Sequence, residues 1–428
     1  MTHQYAMTGF TVREHRVQVP VDWSAPERFG SIEVFAREVV DPQKASDDLP
    51  LLLFLQGGPG GMGPRPLGGG WIGTALEKYR VILLDQRGTG RSSPVDGQVI
   101  AGFDDAALAA DYLACFRGDA IVADAEHLRA TVYGGRQWAT LGQSYGGFLT
   151  LTYLSRHPEA LTRCYVTGGL PPATATAEEV YAHTYRRQAA RNRELARLHP
   201  DDVPLLGRIA DVVSERPVAL PDGDPFSVER LQQLGQGFGM STGIDELHWL
   251  LDTAFAADGS LSDGFLTAVA RETGFDGRPL YGVLQEVIYH QGHREPGWAA
   301  QAEHDRWPSF AADARPLQLT GEVFFPWMYD QHRALRPFRA AAEELATRTE
   351  WPALYDLDRL AANEVPVAAV QYYDDPYVDL DLALATDVGN LQVWITNEHL
   401  HDGLRVAGDT VLPKLFDLAA GKARVTGR

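Results

Sequence analysis

Two textures of hydrophobic residues divide this chain. In the first, Val17 to Val21 and Ser31 to Val40 carry β-branched residues in partial alternation with polar ones, which predicts an opening antiparallel pair. After the turn-forming Asp47-Asp48-Leu49-Pro50 comes Leu51-Leu52-Leu53-Phe54-Leu55, a run apolar on both faces, as a central parallel strand must be. Two further runs, Tyr79 to Leu84 and Trp138 to Leu141, repeat that pattern, and each of the three ends close to a glycine-rich turn. Between and after them, Ala106 to Val132 and Phe148 to Ser155 have apolar positions at helical spacing. Strand, turn and helix in alternation predict an α/β fold, a mostly parallel sheet with helices on both faces.

The second texture begins near Pro171. Glu178 to Leu198 is rich in Ala, Arg and Glu, and Val228 to Phe275 and Pro279 to Gln291 read as helices with glycine-rich breaks. Strand patterns resume only at Val365 to Tyr373 and Leu391 to Thr396. The expected organisation is therefore a core over residues 1–170, a mainly helical insertion over 171–360, and the rest of the core over 361–428.

Composition narrows the possible partners. With 45% hydrophobic and 22% charged residues, the 428-residue chain can bury a full core. Thirty-eight basic against 57 acidic side chains give a net charge of −19, which repels phosphate backbones and anionic lipid, so neither nucleic acid nor a membrane is expected as a partner. Two cysteines, Cys115 and Cys164, are too few for a disulfide scaffold and fit a reducing compartment. Met1 to Thr11 lacks the basic-then-apolar pattern of a leader, and no run of 18 apolar residues occurs, so a cytoplasmic location is expected.

The turns carry the candidate chemistry. Gly142-Gln143-Ser144-Tyr145-Gly146 is a G-x-S-x-G pattern set between a strand and a helix, the context in which such a serine becomes an exposed nucleophile. Serine at the centre, rather than aspartate, points to acyl transfer. A serine needs a base and the base an orienting carboxylate, in the chain order serine, acid, histidine. Asp374-Asp375 follows one late strand, and His399 and His401 follow the other; spacing leaves the choice within each pair open. The loop Gly57-Gly58-Pro59-Gly60-Gly61 and the Tyr145 N–H can supply oxyanion donors. No Gly-Lys-Ser/Thr follows that loop, so a phosphate site is not expected. His290 and His293 alone do not make a metal site, and neither a metal nor another cofactor is expected.

Four motifs in order, Gln-Gly-Gly-Pro-Gly-Gly at 56–61, Asp-Gln-Arg-Gly-Thr-Gly-Arg-Ser at 85–92, Gly-Gln-Ser-Tyr-Gly-Gly at 142–147 and Thr-Gly-Gly-Leu-Pro-Pro at 167–172, resemble those of the prolyl aminopeptidases, or proline iminopeptidases. The likeness is to the larger-capped bacterial subgroup of these α/β-hydrolase-fold serine peptidases. It extends to Glu286-Val287-Ile288-Tyr289, Gly321-Glu322 and the stretch from Thr396 to Arg405. Gln56 stands where many relatives have histidine, and Pro376 where the subgroup often has methionine.

The resemblance implies a helical cap, a nucleophile at Ser144, an acid at Asp375 and a base at His401, with oxyanion donors at Gly58 and Tyr145. It also implies that Glu286 and Glu322 bind the substrate's amine, with Phe148, Tyr289 and Trp327 as candidate walls of the proline slot. The expected activity is release of N-terminal proline from small peptides through an acyl-enzyme. A carboxylester or thioester hydrolase on the same fold is the alternative, and a catalytically silent binding module disagrees with an intact serine, acid and histidine set.

Overall fold

The computed structural model describes residues 3–425; Met1 and Thr2, the start of the stretch read for a leader, and 426–428, the end of the last core segment, lie outside it. The chain opens with an antiparallel meander of β1 (His3–Met7), β2 (Phe10–Pro20) and β3 (Ser31–Val40). The sequence predicts the second and third but not β1, whose side chains are nearly all exposed and so carry no alternation to read. β4 (Leu51–Leu55), β5 (Arg80–Asp85) and β6 (Trp138–Gln143) fall within two residues of the three apolar runs. β7 (Leu161–Thr167) is unexpected from sequence, because Thr162 and Arg163 interrupt its apolar run at the start.

A two-residue ribbon, β8 (Gly292–His293) with β9 (Glu350–Trp351), lies in the helical stretch, and β10 (Val367–Tyr372) and β11 (Leu391–Thr396) complete the strands among the described residues. Apart from the ribbon they form one sheet in the order β1-β2-β3-β5-β4-β6-β7-β10-β11. From β5 to β11 all neighbours are parallel, so their carboxyl ends share one edge.

The run Leu51–Leu55 shows why a central strand is apolar throughout. Leu51, Leu53 and Leu55 enter the hydrophobic layer on one face of the sheet, while Leu52 and Phe54 enter the layer on the other, with Trp71 stacked on Phe54 at 4.4 Å. The helical stretch expected over Ala106 to Val132 is two helices, Ala106–Ala114 and Gly118–Tyr133. The break carries Arg117 into the interior, where its guanidinium donates to the carbonyl oxygens of His290 at 2.6 Å and Pro352 at 3.3 Å.

Between β7 and β10 the chain is helical apart from the ribbon. Helix Ala177–Leu198 opens with a capping box, Thr176 bonding the Glu179 N–H and Glu179 bonding back to the Thr176 N–H, two donors satisfied at once. A separate apolar cluster running from Leu195 to Leu319 is drawn wholly from this stretch. Among the described residues no helix is long and apolar enough to cross a membrane.

Candidate active site

Ser144 joins β6 to the helix Tyr145–Arg156 with φ 57° and ψ −127°, a left-handed conformation that a serine adopts only when its surroundings enforce it. The enforcement is close backbone packing. A Cβ on Gly146 would lie 1.9 Å from the Leu55 carbonyl oxygen, and one on Gly169 would lie 2.1 Å from the carbonyl oxygen of Ser144 itself. The Ser144 N–H is held by the Thr167 carbonyl at 2.9 Å. The motifs 142–147 and 167–172 are thus two sides of one turn: both bring bare backbone to the serine.

Asp375 and His401 come from the ends of β10 and β11, and the structure brings these two together rather than Asp374 and His399. Asp375 Oδ2 lies 2.7 Å from His401 Nδ1, while its Oδ1 accepts the Tyr377 N–H at 2.8 Å and the Val378 N–H at 3.2 Å. A carboxylate only accepts, so Nδ1 carries the proton and Nε2 is left to act as a base. Asp375 is 1% and His401 3% exposed, whereas Asp374 is on the surface and His399 half-buried. Burial pulls the His401 imidazole down, but the Asp375 charge and hydrogen bond outweigh it and leave it above its ordinary value.

Ser144 and His401 open onto one cavity of about 1080 Å³, which also receives Gly57, Gly58, Tyr281, Glu322 and Tyr377. Gly58 faces it from the loop after β4, which is braced from beneath by Gln86 Nε2 donating to the Gln56 carbonyl at 2.7 Å. The 85–92 motif therefore serves as scaffold. Its Arg87, fully buried, spends its donors on both Asp124 oxygens and on the carbonyls of Val21 and Cys115 at 2.6 and 2.7 Å, so the buried charge is matched. The Tyr145 phenol points away from the cavity toward Gly118; its N–H, at the first position of the helix, is the part beside Ser144.

The helical stretch roofs this edge. Glu322 faces the cavity and accepts the Tyr281 hydroxyl on Oε1 at 2.5 Å, and Tyr281 is in turn bonded by Gln236 Nε2 at 2.6 Å. Burial pushes Glu322 up to about 7, against the Tyr281 hydrogen bond and the nearby His401.

Glu286 is sealed off by comparison. It is 7% exposed, lies outside the cavity lining, and accepts the N–H groups of Ala299 and Ala300 at 3.1 and 3.2 Å, with Arg294 at 3.7 Å. Burial raises it too to about 7. Phe148 and Tyr289, the candidate walls of the slot, likewise lie outside the cavity lining: they pack edge-on to each other at 6.1 Å, and Tyr289 to Tyr181 at 6.2 Å. The Tyr181 phenol feels both carboxylates, and its oxygen is buried without a hydrogen-bond partner among the described residues. Trp327 instead stacks on Phe325, 6.1 Å away.

Residues that the sequence did not single out complete the site. Tyr377 lays its ring edge-on to His401 at 4.9 Å and donates its hydroxyl to the Gln236 carbonyl. The His401 N–H is held by the Gly239 carbonyl at 3.0 Å, and Ser241 donates its N–H and hydroxyl to Asp402 at 3.1 and 2.6 Å. The roof and the catalytic loops are thus stitched together along residues 236–241. Only the place of Tyr377, two residues after the acid, offered a signal.

Two groups of possible metal ligands lie elsewhere. His199, Asp202 and His248 converge, but the two imidazoles stack with planes 10° apart at 4.1 Å, so their in-plane lone pairs cannot meet on one ion. His183, Asp379 and Asp381 share their space with Arg187, which donates to Asp379 at 2.8 Å. His290 is buried against Trp351, while His293 is exposed and paired with Glu350 at 2.6 Å, so these two form no site.

A family profile described as the alpha/beta hydrolase fold matches residues 50–203. A proline iminopeptidase of Aeromonas sobria is 41% identical over 418 residues, covering 97% of this chain and 98% of its own length. The proline iminopeptidase aneH of Aspergillus aculeatus is 35% identical over 421 residues, covering 95% and 93%. Among solved structures, a proline iminopeptidase of Mycobacterium smegmatis is similar over 99% of this chain and 100% of its own, at 13% identity and a TM-score of 0.38. With two relatives matched along nearly their whole length, this chain, an α/β hydrolase, belongs to the proline iminopeptidase family.

Proposed function

We propose that this protein is a serine exopeptidase that releases N-terminal proline from peptides, with Ser144 as nucleophile, His401 as base and Asp375 as the group that orients it. The carrying observation is Glu322: a half-buried carboxylate with one phenolic donor, opening onto the same cavity as Ser144 and His401. A cavity for neutral acyl esters has no use for such a group, whereas a cationic prolyl amine supplies the partner it lacks.

In this reading the peptide enters with its secondary ammonium against Glu322 and its pyrrolidine ring beside the Tyr281 and Tyr377 rings that line the cavity. Glu286, outside the cavity lining and held by the Ala299 and Ala300 N–H groups, does not touch the substrate in this reading. His401 Nε2 takes the Ser144 proton as Oγ attacks the prolyl carbonyl, and the oxyanion is met by the N–H groups of Gly58 and Tyr145. His401 then gives that proton to the leaving amine, releasing the shortened peptide and leaving prolyl-Ser144. Water, deprotonated by the same imidazole, hydrolyses the ester and frees proline. The helical stretch acts as the cap that excludes internal segments of long chains.

The test compares proline arylamide with acetylproline arylamide and an aryl butyrate. Fast cleavage of the free amine with little of the acetylated one is expected, because acetylation removes the cation. Equal rates on the two, or preference for the butyrate, overturn the exopeptidase reading in favour of an esterase.

A further inference from the structure

The cavity is larger than one proline requires, at the upper end of the range that encloses a drug-sized ligand. Its charges are uneven. Among its acids, Glu272 is paired with Arg271 at 2.8 Å, Asp276 with Arg333 at 3.1 Å, and Glu246 accepts the Thr242 hydroxyl at 2.7 Å. Two of its arginines have no such partner. Arg278 lies over the Tyr281 ring at 5.3 Å, and Arg405 touches the Met240 sulfur at 3.3 Å; among the described residues neither forms an ion pair with a carboxylate.

Both stand at the reacting end. Arg405 follows His401 by four residues on the short helix Gly403–Val406, and Arg278 precedes Tyr281 by three. Arg278 lies over the Tyr281 ring whose hydroxyl bonds Glu322, and Arg405 lies on Met240, next to the Gly239 carbonyl that holds the His401 N–H. In a chain of net charge −19, these are two exposed guanidinium groups on the cavity wall that no carboxylate holds in an ion pair among the described residues.

A short peptide is a zwitterion. If its ammonium lies against Glu322, the carboxylate of a di- or tripeptide falls one to two residues past the scissile bond, within about 7 Å at 3.3 to 3.6 Å per residue. We propose that Arg278 and Arg405 receive the C-terminal carboxylate of the substrate, making the enzyme selective for di- and tripeptides with a free carboxyl end over their amides and over longer chains. Guanidinium suits the task because it binds a carboxylate through two parallel donors and stays charged at any working pH. The inference rests on the exopeptidase reading.

The experiment measures kcat/KM for Pro-Gly, Pro-Gly-Gly and Pro-Gly-Gly-Gly-Gly-Gly, each as free acid and as C-terminal amide, with proline arylamide alongside. The acid-to-amide ratio within one preparation cancels any change in the active fraction. For one of the two short peptides the native ratio should be roughly 10- to 100-fold, the range for a hydrogen bond to a charged group, and near one for the six-residue peptide. Arg278→Gln with Arg405→Gln should bring the short-peptide ratio toward one, and the paired lysine substitutions should keep part of it. A native ratio near one at every length, a ratio independent of length, or a ratio untouched by the double substitution overturns the proposal. Failure to cleave proline arylamide at all would instead remove the exopeptidase reading beneath it.

Discussion

Asp375 and Glu322 are carboxylates at one cavity edge, yet the two regions that hold them treat the charge differently. Asp375, at the end of a parallel strand, accepts two backbone N–H groups and an imidazole, so its negative charge is matched whether or not a substrate is present. Glu322, in the helical roof, has one phenol. On the proposed function, the contrast separates a carboxylate that positions a base from one whose charge waits for a ligand. Permanent satisfaction gives rigidity; partial satisfaction gives recognition.

The comparison can be broken first from the sheet side. Ser144→Ala should lower turnover of every substrate by about 10³-fold or more, proline arylamide and activated ester alike, with circular dichroism unchanged. Next, Asp375→Asn should cost on the order of 10³- to 10⁴-fold on both substrates by disturbing the imidazole tautomer, while Asp374→Asn, on the surface, should leave steady-state rates near those of the native chain. Similar losses from the two asparagine variants would reject the assignment of the acid.

From the roof side, Glu322→Gln should reduce kcat/KM for proline arylamide by about 2 to 5 kcal/mol, the range for breaking a desolvated charge pair, and affect an uncharged aryl ester much less. Native kcat/KM for the arylamide should fall as pH drops through about 7, where Glu322 takes up its proton, and protonation of His401, held above its ordinary value by Asp375, adds to the acid limb. The glutamine variant should retain only the histidine part of that limb in a pH profile.

The smallest effect is on stability. Because the Glu322 carboxyl is raised to about 7 in the folded chain, it costs nothing below the unfolded value near 4.5; the cost grows as pH climbs from there to about 7 and stays at its full size above it. Glutamine can still accept the Tyr281 hydroxyl. Urea titrations should therefore show Glu322→Gln more stable than the native chain by about 1 to 3 kcal/mol at pH 8, with the gap closing toward pH 4.5. A gap that widens on acidification would reverse the sign and refute the charge argument.

Sequence legibility followed the same divide. Leu51–Leu55 was readable to the residue because burial on both faces leaves a contiguous apolar run, and Leu391–Thr396, a partly exposed edge strand, because its β-branched and aromatic residues favour a strand. Ser144 was readable because its turn admits so few side chains. Asp375 over Asp374 and His401 over His399 were not settled by the residues, since adjacent positions on a loop differ only in which way the chain rotates them; the family motifs favoured the pair that the structure brings into contact. β1 and β7 were missed, one for lack of burial and one for its polar start. In the roof, Glu322 and Glu286 look alike in sequence, and nothing local reveals that one faces the cavity while the amides of Ala299 and Ala300 occupy the other. Tyr281 and Gln236, 45 positions apart, meet only through the tertiary fold.

The stitching along residues 236–241 bears on how the enzyme fails. The backbone of His401 hangs from Gly239, Asp402 is tied to Ser241, and Tyr377 to Gln236, so the imidazole is held in part by a segment whose Phe238 belongs to a roof cluster separate from the one that joins roof and sheet. Local melting of that separate cluster would release the histidine loop while the nine-stranded sheet remains folded. On heating, loss of activity should accordingly precede loss of the sheet's spectroscopic signal, and the thermal limit of the enzyme belongs to its helices.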